Sequence, residues 1–189
     1  MSTSRFPLKT VCLTLAATAL AGAAGALGLI YSGYYDVSAI PPHNPLVAWA
    51  LHSTYEHSLH RHAQGIVAPP DLMSEANLAA GARRYAATCV ACHGAPGQPP
   101  GPIAQGILPA APLLLAATRR NKPPLMFWTI RNGVRMTAMP AFGKSFDDHE
   151  IWQLAAFLNH ARGISAGDYA KLVAAGGPPA PAPAPAVAP

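Results

Sequence analysis

The five residues Cys89-Val90-Ala91-Cys92-His93 constrain this chain more than any other stretch, because they read C-x-x-C-H. Two thiols three positions apart can each add to a vinyl group of a porphyrin, and a histidine directly after them is set under the iron. That spacing is the attachment signature of a c-type haem. C-x-x-C also serves zinc sites and thioredoxin-like redox motifs. A zinc tetrahedron needs a second pair of ligands, and the sequence has no second C-x-x-C and no H-x-x-x-H; its only other cysteine, Cys12, lies in an apolar N-terminal run. A reversible dithiol switch leaves His93 without a role.

Haem iron takes four ligands from the porphyrin and one from the proximal histidine, and methionine is the usual sixth in electron-carrying c-type cytochromes. The downstream segment from Asn132 to Gly143 offers Met136 and Met139. Met139 is preferred, because Pro140 restricts the residue before it to extended backbone and so holds Met139 in a loop able to reach across a haem face. Met136 is the reserve. Met73 and Met126 read as flexible core filler.

With these residues in view, the chain resembles the class I cytochrome c family: C-V-A-C-H-G, then M-P-A-F-G, then a helix containing Ile151-Trp152-Gln153-Leu154-Ala155-Ala156-Phe157-Leu158. The likeness covers roughly residues 74 to 163, about half the chain. It implies a small all-α fold with one covalent haem c, in which Cys89 and Cys92 hold the haem, His93 is the proximal iron ligand and Met139 the distal one. One departure is Ala138, where many members carry glycine; its methyl bears on how the Met139 loop lies.

Outside that region the composition is unusual. Of 189 residues, 51% are hydrophobic and only 11% charged, which is high for a soluble protein and requires apolar sequence outside a globular core. Val11 to Ile30 carries no charge, and twenty helical residues span about 30 Å, the thickness of a bilayer's hydrocarbon core. Arg5 and Lys9 precede the run and Asp36 is the first charge after it, so the positive-inside rule sets the N-terminus in the cytoplasm and the rest outside. A cleaved secretory signal has a similar start, but its apolar core normally stops at about 7 to 15 residues, so an uncleaved anchor is favoured. Either reading exports the haem domain, to the periplasmic side of a bacterial cytoplasmic membrane.

Residues 32–73 form a histidine-rich connector, holding His43, His52, His57, His60 and His62 among eight histidines in all. Tyr31, Tyr34 and Tyr35 fall at the membrane exit, where amphipathic rings are favoured. After Pro41, Pro42 and Pro45 a helix can resume from Leu46 to Gln64. It brings His57 near His60, which raises a second metal site, a second haem or a metal-trafficking role; the simpler reading is an amphipathic connector near the headgroups or against a partner.

Ser74 can cap a helix from Glu75 to about Ala91, and the resemblance implies that it crosses the last helix at close range, with Gly81 and Tyr85 against Trp152, Ala155 or Phe157. Ile103, Ile107, Leu108, Leu113 and Leu114 are candidate haem-pocket residues, and Pro112, in preference to Pro109, is expected to offer a carbonyl to the far nitrogen of His93. A helix from Leu125 to about Asn132 should end at Gly133, with Trp128 on a haem edge or in the core. Asp147 and Glu150 resemble a capping box opening a helix through His160, and Ser165 to Val173 can add a last short one. The Ala/Pro-rich stretch 176–189 is expected to be a disordered tail. The expected segments are thus the anchor 1–31, the connector 32–73, the monohaem domain 74–175 and the tail 176–189.

Residues 71–163 hold nine Lys or Arg and five Asp or Glu, and Arg83, Arg84, Arg119, Arg120, Lys122, Arg131, Arg135 and Lys144 bracket the haem motifs. A positive rim steers a carrier onto acidic redox partners; a solvated face that keeps the domain soluble is the alternative, and nucleic acid is not an expected partner. The sequence shows no base, nucleophile or substrate cleft, so the expected role is single-electron transfer without independent catalysis, as a membrane-anchored carrier or a subunit of a respiratory or dehydrogenase complex. The competing class is a haem-based catalyst or gas sensor with a labile sixth ligand.

Overall fold

The computed structural model describes residues 7–177; Arg5 and most of the stretch expected to be a disordered tail lie outside the described residues. The chain divides into two compact units, Met1–Ser38 and Ala39–Pro189. In the first, α1 (Leu8–Ser32) runs for 25 residues with a mean hydropathy of 1.9 over its best window and no buried residue. At 1.5 Å per residue it is about 37 Å long, and it fits membrane anchoring by length and composition. Gly33, with φ +67°, ends it in the left-handed conformation.

The second unit is all-helical among the described residues: α2 (Pro45–His62), α3 (Glu75–Thr88), α4 (Val90–His93), α5 (Pro102–Gln105), α6 (Pro123–Asn132), α7 (Asp148–His160) and α8 (Ala166–Ala175), with a 3-10 turn at Phe142–Lys144. The helix starts follow local chemistry. Ser74 accepts from the Asn77 N–H, Ser165 from the Asp168 N–H, and Asp147 with Glu150 forms a complete capping box.

α3 and α7 cross at the centre, with α6 packed on α7 and α8 on α3. Gly81 permits the crossing: a Cβ there would fall on the Gln153 carbonyl and within 2.8 Å of the Phe157 Cβ. Tyr85 and Phe157 meet with ring centroids 5.3 Å apart, so of the three expected partners Phe157 is the one that meets both residues. Ile151, Leu154 and Leu158 join them as almost fully buried side chains, each contributing roughly 1.5–3 kcal/mol of hydrophobic burial. Phe127 of α6 stacks on Trp152 at 4.3 Å. Across the same crossing Arg84 pairs with Glu150 and donates to Gln153 Oε1, which ties the α7 cap to α3.

Some expectations are corrected here. Met126 is core, but Met73 is 46% exposed. Trp128 faces His62 of α2 at 5.6 Å, so it forms the seat on which the end of α2 docks, together with buried Leu59 and Ala63. Gly133 does end α6, with a positive φ of +66° but an extended ψ of −171°, so it turns the chain sharply and does not form the left-handed cap that glycine commonly makes at a helix end.

Candidate functional site

The helix expected to reach Ala91 breaks at Cys89, and that break shapes the site. Cys89 closes α3 by donating its N–H to the Tyr85 carbonyl (2.8 Å), while its own carbonyl accepts from Cys92 N–H (3.1 Å) and His93 N–H (2.9 Å). The two cysteines therefore stand one turn apart, Cys89 capping α4 and Cys92 within it, and His93 is the last residue of α4. Gly94, at φ +63°, turns the chain away, and the Tyr85 hydroxyl donates to its carbonyl over 2.6 Å.

The ring of His93 is held from the far side of the loop. Its Nδ1 lies 2.7 Å from the Pro112 carbonyl oxygen, so Nδ1 carries the proton and Nε2 keeps its lone pair. Pro112, not Pro109, is the partner. Burial lowers the imidazole's pKa; the Pro112 bond opposes that, and the positive charge of Arg119 adds to the lowering. Burial and Arg119 together outweigh the Pro112 bond and favour a neutral ring able to donate to a metal. Burial pushes the Cys89 thiol up to about 12, with the nearby Cys92 adding to it, so it stays protonated.

Met139 lies in the loop between α6 and the 3-10 turn and is partly buried against the main core, as is Cys89. The loop is clamped by its own backbone: Val134 N–H donates to the Met139 carbonyl (3.2 Å), Thr137 Oγ1 donates to the Val134 carbonyl (2.8 Å), and Met139 N–H donates to Thr137 Oγ1 (3.1 Å). A Cβ on Gly133 would lie 2.7–2.8 Å from Met139, Pro140 and Ala141 backbone atoms, so only glycine fits that approach. Met136, by contrast, is 73% exposed at φ +59°. Of the apolar residues expected near the haem, Leu114 packs on the core, while Ile103 and Leu113 present exposed apolar surface close to the His93 loop.

Two residues that no motif pointed to complete the surroundings. Asn121, almost fully buried, donates from Nδ2 to the carbonyls of Leu114 (2.7 Å) and Leu158 (2.8 Å), pinning the loop that carries Pro112 onto α7. Arg119 has a buried Nε with no partner among the described residues. A lone asparagine among basic residues has no periodicity to reveal it; the bond to a distant carbonyl is its only signal.

The arrangement suits a haem better than a bare metal. Among the described residues no group of three or more His, Cys, Asp or Glu lies close enough to hold an ion, so iron here needs a macrocycle to supply most of its ligands. Unpaired thiols on Cys89 and Cys92, an imidazole whose Nδ1 is held by Pro112, exposed apolar surface and a buried guanidinium N–H without a partner among the described residues all match that cofactor, whose two carboxylates would suit the charge of Arg119 near His93. His57 and His62 instead bond their own helix carbonyls, Ser53 O and Ser58 O. Among the described residues they join no group of three or more potential metal ligands.

Residues 76–158 match the family model described as cytochrome C oxidase, cbb3-type, subunit III. The match, which spans less than half of the chain, indicates a class I c-type cytochrome domain over this stretch; proteins of that class carry haem c and transfer electrons. No curated protein and no solved structure matches the chain.

Proposed function

We propose that Cys89 and Cys92 would hold one haem c through thioethers, with His93 Nε2 and Met139 Sδ as the iron ligands that the chain would supply. Each S–H would add across a vinyl C=C, sulfur to one carbon and hydrogen to the other, with no oxidant consumed. The observation that carries the reading is the 2.7 Å bond from His93 Nδ1 to the Pro112 carbonyl, one residue beyond two unpaired thiols. When bound, such a haem supplies one-electron Fe(III)/Fe(II) chemistry. The chain's own residues do the rest: Pro112 fixes the imidazole's orientation, the clamped 133–140 loop keeps a soft thioether from drifting, and the packed α3–α7 crossing limits rearrangement on transfer.

The full reading is a chain with segments 1–31, 32–73, 74–175 and 176–189, anchored through residues 11–30 in a bacterial cytoplasmic membrane, its haem domain in the periplasm. It passes single electrons between acidic-surfaced partners as an anchored carrier or as a non-catalytic subunit. Arg84 and Arg131 are engaged by Glu150 and Asp148, so the docking charge rests on Arg120, Lys122, Arg135 and Lys144.

The test is the visible spectrum of the exported, matured protein. Met139→Ala should abolish the weak methionine-to-iron charge-transfer band of the oxidised form and admit carbon monoxide to the reduced form, while Met136→Ala leaves both as in the parent. A colourless protein, or carbon monoxide binding by the parent, overturns the six-coordinate carrier.

A further inference from the structure

We propose that the first two turns of α2 enter the lipid interface and seat the haem domain against the membrane. This rests on the anchoring proposed above and goes beyond it. α2 is fixed at one end only: Leu59 and Ala63 are buried and His62 packs on Trp128. At the other end every residue from Pro45 to His52 is exposed, and all but His52 are apolar. Leu46 is 69% and Trp49 66% exposed.

The pattern selects the occupant. At 100° per residue, Leu46, Val47, Leu51 and Trp49 fall at about 0°, 100°, 140° and 300° around the helix, so the large apolar side chains cover an arc of about 200°, with Ala48 and His52 on the remainder. A groove on a partner protein covers one side of a helix, whereas acyl chains at a lipid interface close around a wider arc; an apolar face of this width beside a narrow, uncharged polar strip suits an element lying in that interface. No Asp, Glu, Lys or Arg lies between Asp36 and Glu56, so nothing charged would need to leave water. The ring of Trp49, apolar with one N–H, suits the headgroup boundary. The chain from Gly33 to Asn44 between α1 and α2 can extend to about 40 Å at most, which keeps this tip in reach of a surface that α1 crosses.

The test uses the full matured chain with Cys12→Ala, reconstituted in phosphatidylethanolamine and phosphatidylglycerol vesicles without other protein. Single cysteines replace Leu46, Trp49 or, as a water-facing reference on the same helix, His60 (Leu46→Cys, Trp49→Cys, His60→Cys), each checked for the parent's visible spectrum. A charged, membrane-impermeant maleimide should label positions 46 and 49 about tenfold or more slowly than position 60, because a lipid environment suppresses the reactive thiolate. A diazirine-bearing lipid should crosslink to peptides carrying positions 46 and 49 as well as to α1, and not to the peptide carrying position 60. Equal labelling rates at all three positions overturn the proposal, as does protection that appears in native membranes but not in pure lipid, which would assign the tip to a protein partner. Release of the chain by alkaline carbonate would overturn the anchoring itself, so the two failures are distinguishable.

Discussion

The Tyr85 hydroxyl donates to the Gly94 carbonyl across 2.6 Å, joining the buried centre of α3 to the residue that follows the proposed haem ligand. The bond bridges nine positions and closes the C-x-x-C-H turn against the core, where Tyr85 also meets Phe157 and Tyr169. Burial, with smaller contributions from Cys89 and Tyr169, raises the Tyr85 pKa well above its usual value near 10. In the folded protein the phenol stays neutral. Unfolding lets it ionise, so its contribution to stability is whole below about pH 10 and is lost as pH climbs towards the raised folded value.

Tyr85→Phe should therefore have two effects of different pH dependence. At pH 7 it removes a hydrogen bond and strands the Gly94 carbonyl, costing about 1–3 kcal/mol. Above pH 10 the parent loses stability more steeply than the variant, so their melting curves converge. Tyr169, whose pKa burial also raises, retains part of the alkaline slope in the variant. Thermal melts from pH 7 to 11 check both; parallel curves would show that Tyr85 does not titrate on unfolding.

Gly81→Ala sets helix propensity against packing. Alanine gains about 1 kcal/mol over glycine within a helix. Its Cβ would fall on the Gln153 carbonyl, a backbone group of the facing helix that cannot rotate away. Forcing extra volume into a packed contact costs typically about 1–3 kcal/mol. The expected result is net destabilisation with the visible spectrum retained, read by chemical denaturation.

How much of this was legible beforehand follows from the kind of signal each residue carries. Cys89, Cys92 and His93 declare themselves by spacing. The stripe Ile151, Leu154, Ala155 and Leu158 declares itself by period, and the Asp147–Glu150 box by composition at a helix start. Gly81 was readable as a close crossing because glycine in a helix is otherwise a cost. The roles of Trp128, Arg119 and Asn121 depend on residues 37 to 66 positions away or on a buried atom with no partner, which no local pattern encodes. The break of α3 at Cys89 was missed because Thr88 to Cys92 has no proline or glycine to mark it; the two-fold use of the Cys89 carbonyl makes the turn.

Arg119→Gln probes the charge beside the imidazole. In the parent that cation disfavours added positive charge near His93, which is why it helps to lower the ring's pKa. The same field would favour the reduced, less positive state of the iron proposed to bind there. Removing it should lower the midpoint potential by roughly 30–60 mV, equivalent to about 1 kcal/mol for a one-electron couple. Spectroelectrochemical titration reads the shift, and Arg119→Lys should recover most of it. An unchanged potential in the glutamine variant would mean that the guanidinium is fully screened from the iron.

Asn121→Ala should be the most damaging polar substitution in the domain, although Asn121 touches neither the cysteines nor the histidine. Its Nδ2 satisfies two carbonyls at once, on Leu114 and on Leu158, and each buried acceptor left alone costs about 1–3 kcal/mol. Its backbone carbonyl also accepts from Asn159 Nδ2 at 3.1 Å, a bond the substitution keeps. A loss of roughly 2–4 kcal/mol is therefore expected, the lower part of the summed range because the loop can relax towards water. That relaxation separates the role from simple core loss. Leu114 is two residues from Pro112, so a loosened loop weakens the 2.7 Å hold on His93 Nδ1. The variant should then show a wider spread of haem environments, seen as broadened electron paramagnetic resonance of the oxidised form, which an equally destabilising change on the far side of α7 would not produce.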